Sequence, residues 1–174
     1  LVLFAFILQF GSSWMDNLSN VLYKDKVIYS QATKYQHVVL TERLSKNQPQ
    51  PITDLYLNGR LQFSSVDEQI YHALLVYPAM LASNRHDRVL IIGGGDGLAM
   101  RDVLKWPVEE VTLIDLDGQL LNLFGHKDNQ YTPPEDIKQR LVALNNESMH
   151  DPRANIIVGD AFLEVERLLD QAKQ

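Results

Sequence analysis

A chain of 174 residues with 45% hydrophobic content can bury one sizeable core and a small further unit. Its net charge of -6, without any long Lys/Arg run, excludes the clustered basic surface that phosphate contacts require, so no nucleic-acid partner is expected. The absence of cysteine excludes disulfides and thiolate metal sites, and His37, His72, His86, His126 and His150 show no metal-ligand spacing, so no metal is expected and most of these side chains read as surface or satisfied core histidines.

The chain opens on "LVLFAFILQF", Leu1 to Phe10, an almost wholly apolar run. A spanning helix needs about twenty apolar residues, and a signal peptide needs a basic start and a small-residue cleavage site. The run therefore reads either as the tail of a transmembrane segment within residues 1–14, or as a buried element or oligomer interface. Residues 15–66 form a second region. Within it, residues 27–63 read as antiparallel strands: "VIYSQATKYQHVVLTE" alternates around Tyr35, His37 and Val39, "SKNQPQP" is turn material, and Asn58-Gly59 marks a tight hairpin.

Residues 67–174 change character. Ser65 and Glu68 fit a capping box, and Ile70, Ala73, Leu74, Tyr77 and Leu81 recur at helical spacing, predicting a helix from Asp67 to Ala82. Strand 89–92 with helix 98–105, strand 111–114 with a helix from Gln119, and strand 155–158 with a helix from Phe162 then repeat one theme. Such alternation predicts an α/β fold with a Rossmann-like parallel sheet, covered on both faces. Residues 125–154 form a polar excursion with a short helix over 136–144. Three parallel strands are fewer than a doubly wound sheet needs, so the sheet is expected to be incomplete, with one wall of its ligand crevice missing.

The stretch "VLIIGGGDGLAM", Val89 to Met100, is a strand running into a glycine turn and a helix. It lacks the Gly-Lys-Ser/Thr of a P-loop. It also lacks the third glycine or alanine of a dinucleotide fingerprint, since Leu98 or Met100 falls there. Gly93, Gly95 and Gly97 instead give G-x-G-x-G, the pattern typical of S-adenosyl ligand folds. Asp96 argues against phosphate, which the helix N-terminus behind such a turn would otherwise favour. Asp115, about twenty residues on and at a strand end, suits ribose hydroxyls. Asp160 ends the next strand in the same way and suits the adenine amino group. Asp96 would attract an ammonium and repel a carboxylate on the sulfonium's short arm, which favours decarboxylated S-adenosylmethionine over S-adenosylmethionine. A plain helix cap is the alternative role for each aspartate.

At these residues the chain resembles the spermidine synthase family of aminopropyltransferases. The motifs run through Tyr35-Gln36, "LYLNGRLQFSSVDEQIYH" at Leu55–His72, "GGGDG" at Gly93–Gly97, "RDVLK" at Arg101–Lys105, "DPR" at Asp151–Arg153 and "GDAF" at Gly159–Phe162. The forms "DGLAMRDVLK" and "LIDLD" resemble most a bacterial subgroup whose domain follows transmembrane helices. That resemblance favours the membrane reading of Leu1–Phe10 and implies an inner-membrane protein with this domain cytoplasmic.

The resemblance places Gln36, Leu57, Gln62, His72, Gly93, Gly94, Gly95, Asp96, Gly97, Asp115, Asp160 and Ala161 around the nucleoside and its aminopropyl arm, and Tyr71 along the acceptor amine channel. It implies aminopropyl transfer from decarboxylated S-adenosylmethionine to putrescine or a similar polyamine, release of methylthioadenosine, no permanently bound cofactor and a homo-oligomer. Asn58 replaces the aspartate of "LDG" and keeps the turn, while Asp115 stands where many members have glutamate. Ala73 replaces the glutamate of "YHE", which leaves the acceptor amine open. The family's catalytic aspartate follows the next strand, beyond Gln174, so these residues alone are expected to be inactive. The alternatives are an S-adenosylmethionine-dependent methyltransferase and a noncatalytic nucleoside-binding domain.

Overall fold

Four antiparallel strands arise from the run rich in β-branched and aromatic residues between Lys26 and Ser64. They are β1 (Lys26–Ala32), β2 (His37–Arg43), β3 (Ile52–Leu57) and β4 (Arg60–Ser64), paired in that order. The computed structural model describes residues 22–46, 48–127 and 133–173. These fall into two units, one ending at Val66 and a second running from Asp67 onward together with Thr33–Tyr35. The apolar run Leu1–Phe10 lies outside the described residues. No helix among the described residues is long and apolar enough to cross a membrane.

In the first unit, Asn58 (φ 51°) and Gly59 (φ 76°) both adopt the left-handed conformation that a two-residue hairpin demands. Asn58 does more than turn the chain: its Oδ1 accepts from the His37 N–H at 2.9 Å and its own N–H donates to the His37 carbonyl at 2.9 Å. The expected alternation through "VIYSQATKYQHVVLTE" is not observed. Tyr35 sits in the bend between β1 and β2, and Val38, Val39, Leu40 and Thr41 are buried consecutively. A strand covered on both faces loses the two-residue pattern that half-burial imposes.

In the second unit, α1 (Glu68–Ala82) confirms the predicted helix, with a different cap and a different buried face. Ser65 Oγ accepts from the Thr53 N–H at 2.9 Å, the Glu68 carboxylate faces Arg101, and Asp67 stands at the cap position without a side-chain bond, so no capping box forms. The buried face is Glu68, His72, Val76 and Met80, whereas Ile70, Leu74 and Leu81 are exposed. An i, i+4 row carrying two polar residues won the interior because Glu68 and His72 find partners there.

Three parallel strands follow: β5 (Arg88–Ile92), β6 (Glu110–Asp115) and β7 (Ala154–Val158), ordered β5-β6-β7. The order does not reverse among the described residues. After β5 comes α2 (Leu98–Val103), shorter than the predicted 98–105 and buried along its whole length. After β6 come α3 (Gly118–Leu123), α4 (Glu135–Leu144) and a 3-10 turn (Ser148–His150), and after β7 comes α5 (Ala161–Gln171). Leu98, Met100, Leu113, Ile114, Leu121 and Phe124 form the core of this unit. Among the described residues cover is incomplete, contrary to expectation: Leu90 and Ile92, on one face of β5, are exposed, and α5 buries none of its residues.

Because α2 is buried, its charged residues must be paired. Arg101 donates to both oxygens of Glu68, at 2.8 and 2.9 Å, and to the Leu144 carbonyl at 3.0 Å. Replacing Arg101 by Met strands a buried carboxylate and is expected to cost about 3–5 kcal/mol in urea denaturation. A loss below about 1 kcal/mol would contradict that role, and Glu68→Gln in the same chain is expected to recover part of the loss.

Candidate functional site

The turn from β5 into α2 commits four of its backbone donors, those of Gly93, Gly95, Gly97 and Leu98, within the fold. Gly93 N–H donates to the Ile114 carbonyl at 2.8 Å and Gly97 N–H to the Gly94 carbonyl at 2.9 Å. Gly95 N–H donates to Asp115 Oδ2 and Leu98 N–H to Asp96 Oδ1, both at 2.9 Å. A phosphate cradle would leave such amides pointing at the ligand. Here two of them already hold carboxylates, which occupy the positive end of the turn and repel a further anion.

Asp115 reaches the turn because Gly95 has no side chain: a Cβ there would lie 2.9 Å from Asp115 Oδ2 and 3.1 Å from its Cγ. Its other oxygen, Oδ1, accepts from the Asp117 N–H at 2.9 Å. Each carboxylate oxygen retains lone-pair capacity for a further donor such as a ribose hydroxyl. Burial is the largest influence on Asp115 and raises its pKa, against the backbone bonds from Asp117 and Gly95 that lower it. Asp96 is half-buried, and desolvation raises its pKa as well. The Leu98 amide and His72 oppose that shift, while Asp115 and Glu68 add to it.

Gly97 is needed for a second reason. Its φ of 72° is left-handed, and a Cβ would lie 2.8 Å from Ser148 Oγ and 2.9 Å from Asn145 Nδ2. Both side chains clamp the turn: Asn145 Nδ2 donates to the Asp96 carbonyl at 3.0 Å and to the Phe124 carbonyl at 2.9 Å, and Ser148 Oγ donates to the Gly97 carbonyl at 2.8 Å. Neither was singled out in the sequence, because they fall in the polar excursion over 125–154 and no local pattern ties them to a turn some fifty residues earlier.

The carboxyl ends of the three strands lie side by side. Asp115 pairs in register with Val158, and Gly159 N–H donates to the Asp115 carbonyl at 3.0 Å. Asp160 follows, exposed, with Oδ1 accepting from the Phe162 N–H at 2.8 Å as the cap of α5, and Ala161 begins that helix. Bonding to a helix's first amides is therefore present at both Asp96 and Asp160, from the cap position at Asp160 and, at Asp96, from one residue before Gly97, which holds the cap position of α2. It leaves the second oxygen of each carboxylate without a bond among those described above.

His72 is buried, with Nδ1 2.7 Å from the Glu68 carbonyl and 3.0 Å from Glu68 Oε2. Tyr71 is exposed, its ring 5.0 Å from the His72 ring in an edge-on arrangement. Gln36, Leu57 and Gln62 belong to the first unit: Gln36 precedes β2, Leu57 ends β3, and Gln62 is exposed on β4. Three further histidines have ordinary partners, with His37 on Ser30, His86 on the Met80 carbonyl and His150 on the Gly125 carbonyl. Among the described residues no group of three or more His, Asp or Glu is placed to hold a metal.

The spermine/spermidine synthase domain matches residues 68–173. The polyamine aminopropyltransferase of Shewanella oneidensis is 52% identical over 159 residues, covering 91% of this chain and 27% of that relative. The polyamine aminopropyltransferase of Leptospira interrogans is 41% identical over 165 residues, covering 92% of this chain and 30% of the relative. The chain thus spans less than a third of these relatives' length. Among solved structures, spermidine synthase from Thermotoga maritima superposes with a TM-score of 0.60 at 28% identity, covering 77% of this chain and 41% of that one. A spermidine synthase in complex with the transition-state analogue AdoDATO gives 0.60 at 30% identity with the same coverage.

Raised carboxyl pKa values carry a sign for stability. With Asp96 raised above its ordinary 3.8, the folded chain holds the proton more tightly than the unfolded one. Stability from this group is full below 3.8 and is lost as pH rises through the raised value. Asp96→Asn retains the Oδ1 acceptor for Leu98, so it is expected to raise the thermal midpoint of the ligand-free chain at pH 7. That gain should vanish below pH 3.8. A lower midpoint at pH 7 would contradict the desolvation argument. Gly95→Ala, which crowds Asp115, is expected to cost about 1–3 kcal/mol in the same melts.

Proposed function

Because the chain belongs to the spermine/spermidine synthase family, we propose that it carries the nucleoside-binding part of an aminopropyltransferase. The donor is decarboxylated S-adenosylmethionine, the acceptor is putrescine or a related amine, and the product nucleoside is methylthioadenosine. The observation that carries this reading is the glycine turn whose Gly95 and Leu98 amides are taken by Asp115 and Asp96. Such a turn disfavours phosphate and favours a ligand that is neutral where it meets Asp115 and cationic where it meets Asp96.

In this reading Asp115 accepts from the ribose hydroxyls, Asp160 and Ala161 bind adenine, and Asp96 with His72 faces the ammonium of the aminopropyl arm. Tyr71 lines the amine channel. For Gln36, Leu57 and Gln62 the support is the motif resemblance alone. The same resemblance supports a homo-oligomer, and, together with the apolar run Leu1–Phe10, attachment to the bacterial inner membrane with this domain on the cytoplasmic side.

The chemistry is a displacement at carbon. The lone pair of a neutral amine attacks the carbon beside the sulfonium, the C–S bond breaks, and its electron pair returns to sulfur, giving neutral methylthioadenosine. The new ammonium then loses one proton. The work left to the protein is to align amine and carbon and to keep the attacking amine unprotonated. A leaving group that departs neutral requires no oxyanion hole.

Calorimetric titration tests the reading. Decarboxylated S-adenosylmethionine and methylthioadenosine are expected to bind more tightly than S-adenosylmethionine and S-adenosylhomocysteine, whose carboxylates meet Asp96. Asp96→Asn is expected to weaken the decarboxylated ligand by about 1.5–3 kcal/mol, on the order of tenfold to a hundredfold, with little change for methylthioadenosine. The affinity advantage of the cationic ligand should grow as pH rises from 3.8 through the raised value of Asp96, since only the ionised carboxylate attracts an ammonium. Preference for the two carboxylate-bearing ligands would favour a methyltransferase.

A further inference from the structure

The buried face of α1 places a histidine against a carboxylate that is itself gripped by an arginine. Glu68 Oε1 accepts from Arg101 Nη1 at 2.8 Å and Oε2 from Arg101 Nη2 at 2.9 Å, with Glu68 fully enclosed and Arg101 almost so. A carboxylate holding a guanidinium on both oxygens acts only as an acceptor. His72 Nδ1 therefore faces two acceptors, the Glu68 carbonyl at 2.7 Å and Oε2 at 3.0 Å. A bare Nδ1 would bring three lone-pair-bearing atoms together in a buried site with no hydrogen between them, so the hydrogen is on Nδ1.

We propose that Glu68 and Arg101 are positioning residues that hold His72 in its Nδ1–H tautomer, leaving Nε2 as a bare acceptor for a hydrogen-bond donor on the ligand. A neutral imidazole carries one ring hydrogen, and the bond made by one nitrogen fixes the state of the other. The group read at this point is then an ammonium or a hydroxyl, and a carboxylate finds lone pair against lone pair. Asp96, within electrostatic reach of His72, imposes the same selection from the turn between β5 and α2. The ligand's identity rests on the aminopropyltransferase reading above, whereas the tautomer does not.

Two-bond nitrogen–proton correlation spectra of the histidine-labelled, ligand-free chain at pH 8 decide the matter. The expected pattern for His72 is a protonated Nδ1 and a bare Nε2. A protonated Nε2 with bare Nδ1 would overturn the proposal without need of any variant. In Glu68→Gln a side-chain amide can donate where the carboxylate only accepted, so the Nδ1–H population is expected to fall. An unchanged tautomer in that variant would overturn the part given to Glu68. The ratio of decarboxylated S-adenosylmethionine affinity to methylthioadenosine affinity is expected to drop about tenfold in Glu68→Gln. An unchanged ratio would sink the claim that Nε2 reads the ligand's amine. If no adenosyl ligand binds while the Nδ1–H pattern is present, the functional reading fails and the tautomer stands.

Discussion

The hydrogen bond from Gly95 N–H to Asp115 Oδ2 is the constraint on which the site depends. It ties the end of β6 to the turn after β5, and it exists only because Gly95 has no side chain to collide with Asp115. In forming, it removes one of the donors that make glycine turns attractive to phosphate. Asp96 removes another at Leu98. A turn type usually associated with anions thereby becomes an acceptor-rich surface, and ligand class follows from where two amide hydrogens are spent.

The same logic of committed donors runs through the interior. Arg101 and Asp102 lie on a fully buried helix, and each is matched: Arg101 to Glu68, and Asp102 to Arg101 and Lys105. A buried ion pair is poor evidence of net stability, since apolar residues of similar volume often do as well. Its use here is directional. It fixes the Glu68 carboxylate, which fixes the hydrogen on His72, beside the Asp96 carboxylate that burial already strains. The site concentrates unfavourable charge where a cation is expected, and the fold offsets that cost elsewhere.

Much of this was legible in the sequence where local chemistry is decisive. Asn58-Gly59 has one economical conformation, and the alternation of strands and helices after Val89 has one common architecture. Gly93–Gly97, Asp115 and Asp160 could be placed at strand ends because strand and turn signals adjoin them. What was not legible depended on distant partners. The apolar residues of α1 misdirected the reading of its buried face, since Glu68 becomes buriable only when Arg101, thirty-three residues later, meets it. Asn145 and Ser148 hold the glycine turn from a segment whose sequence reads as ordinary polar loop. β2 hid its double burial for a related reason: periodicity reports one covered face, and both of its faces are covered.

With its amides committed in this way, the glycine turn is expected to accept a nucleoside and to reject a phosphate at its 5′ end. The direct measurement is a paired titration of the purified chain with methylthioadenosine and adenosine 5′-monophosphate, which share base and ribose and differ at that position. Binding of methylthioadenosine at least about tenfold tighter is predicted, as expected when an anion meets carboxylates in place of free amides. Equal or tighter binding of the monophosphate would mean that the Gly95 and Leu98 amides are open to an anion, which would contradict an acceptor-rich turn.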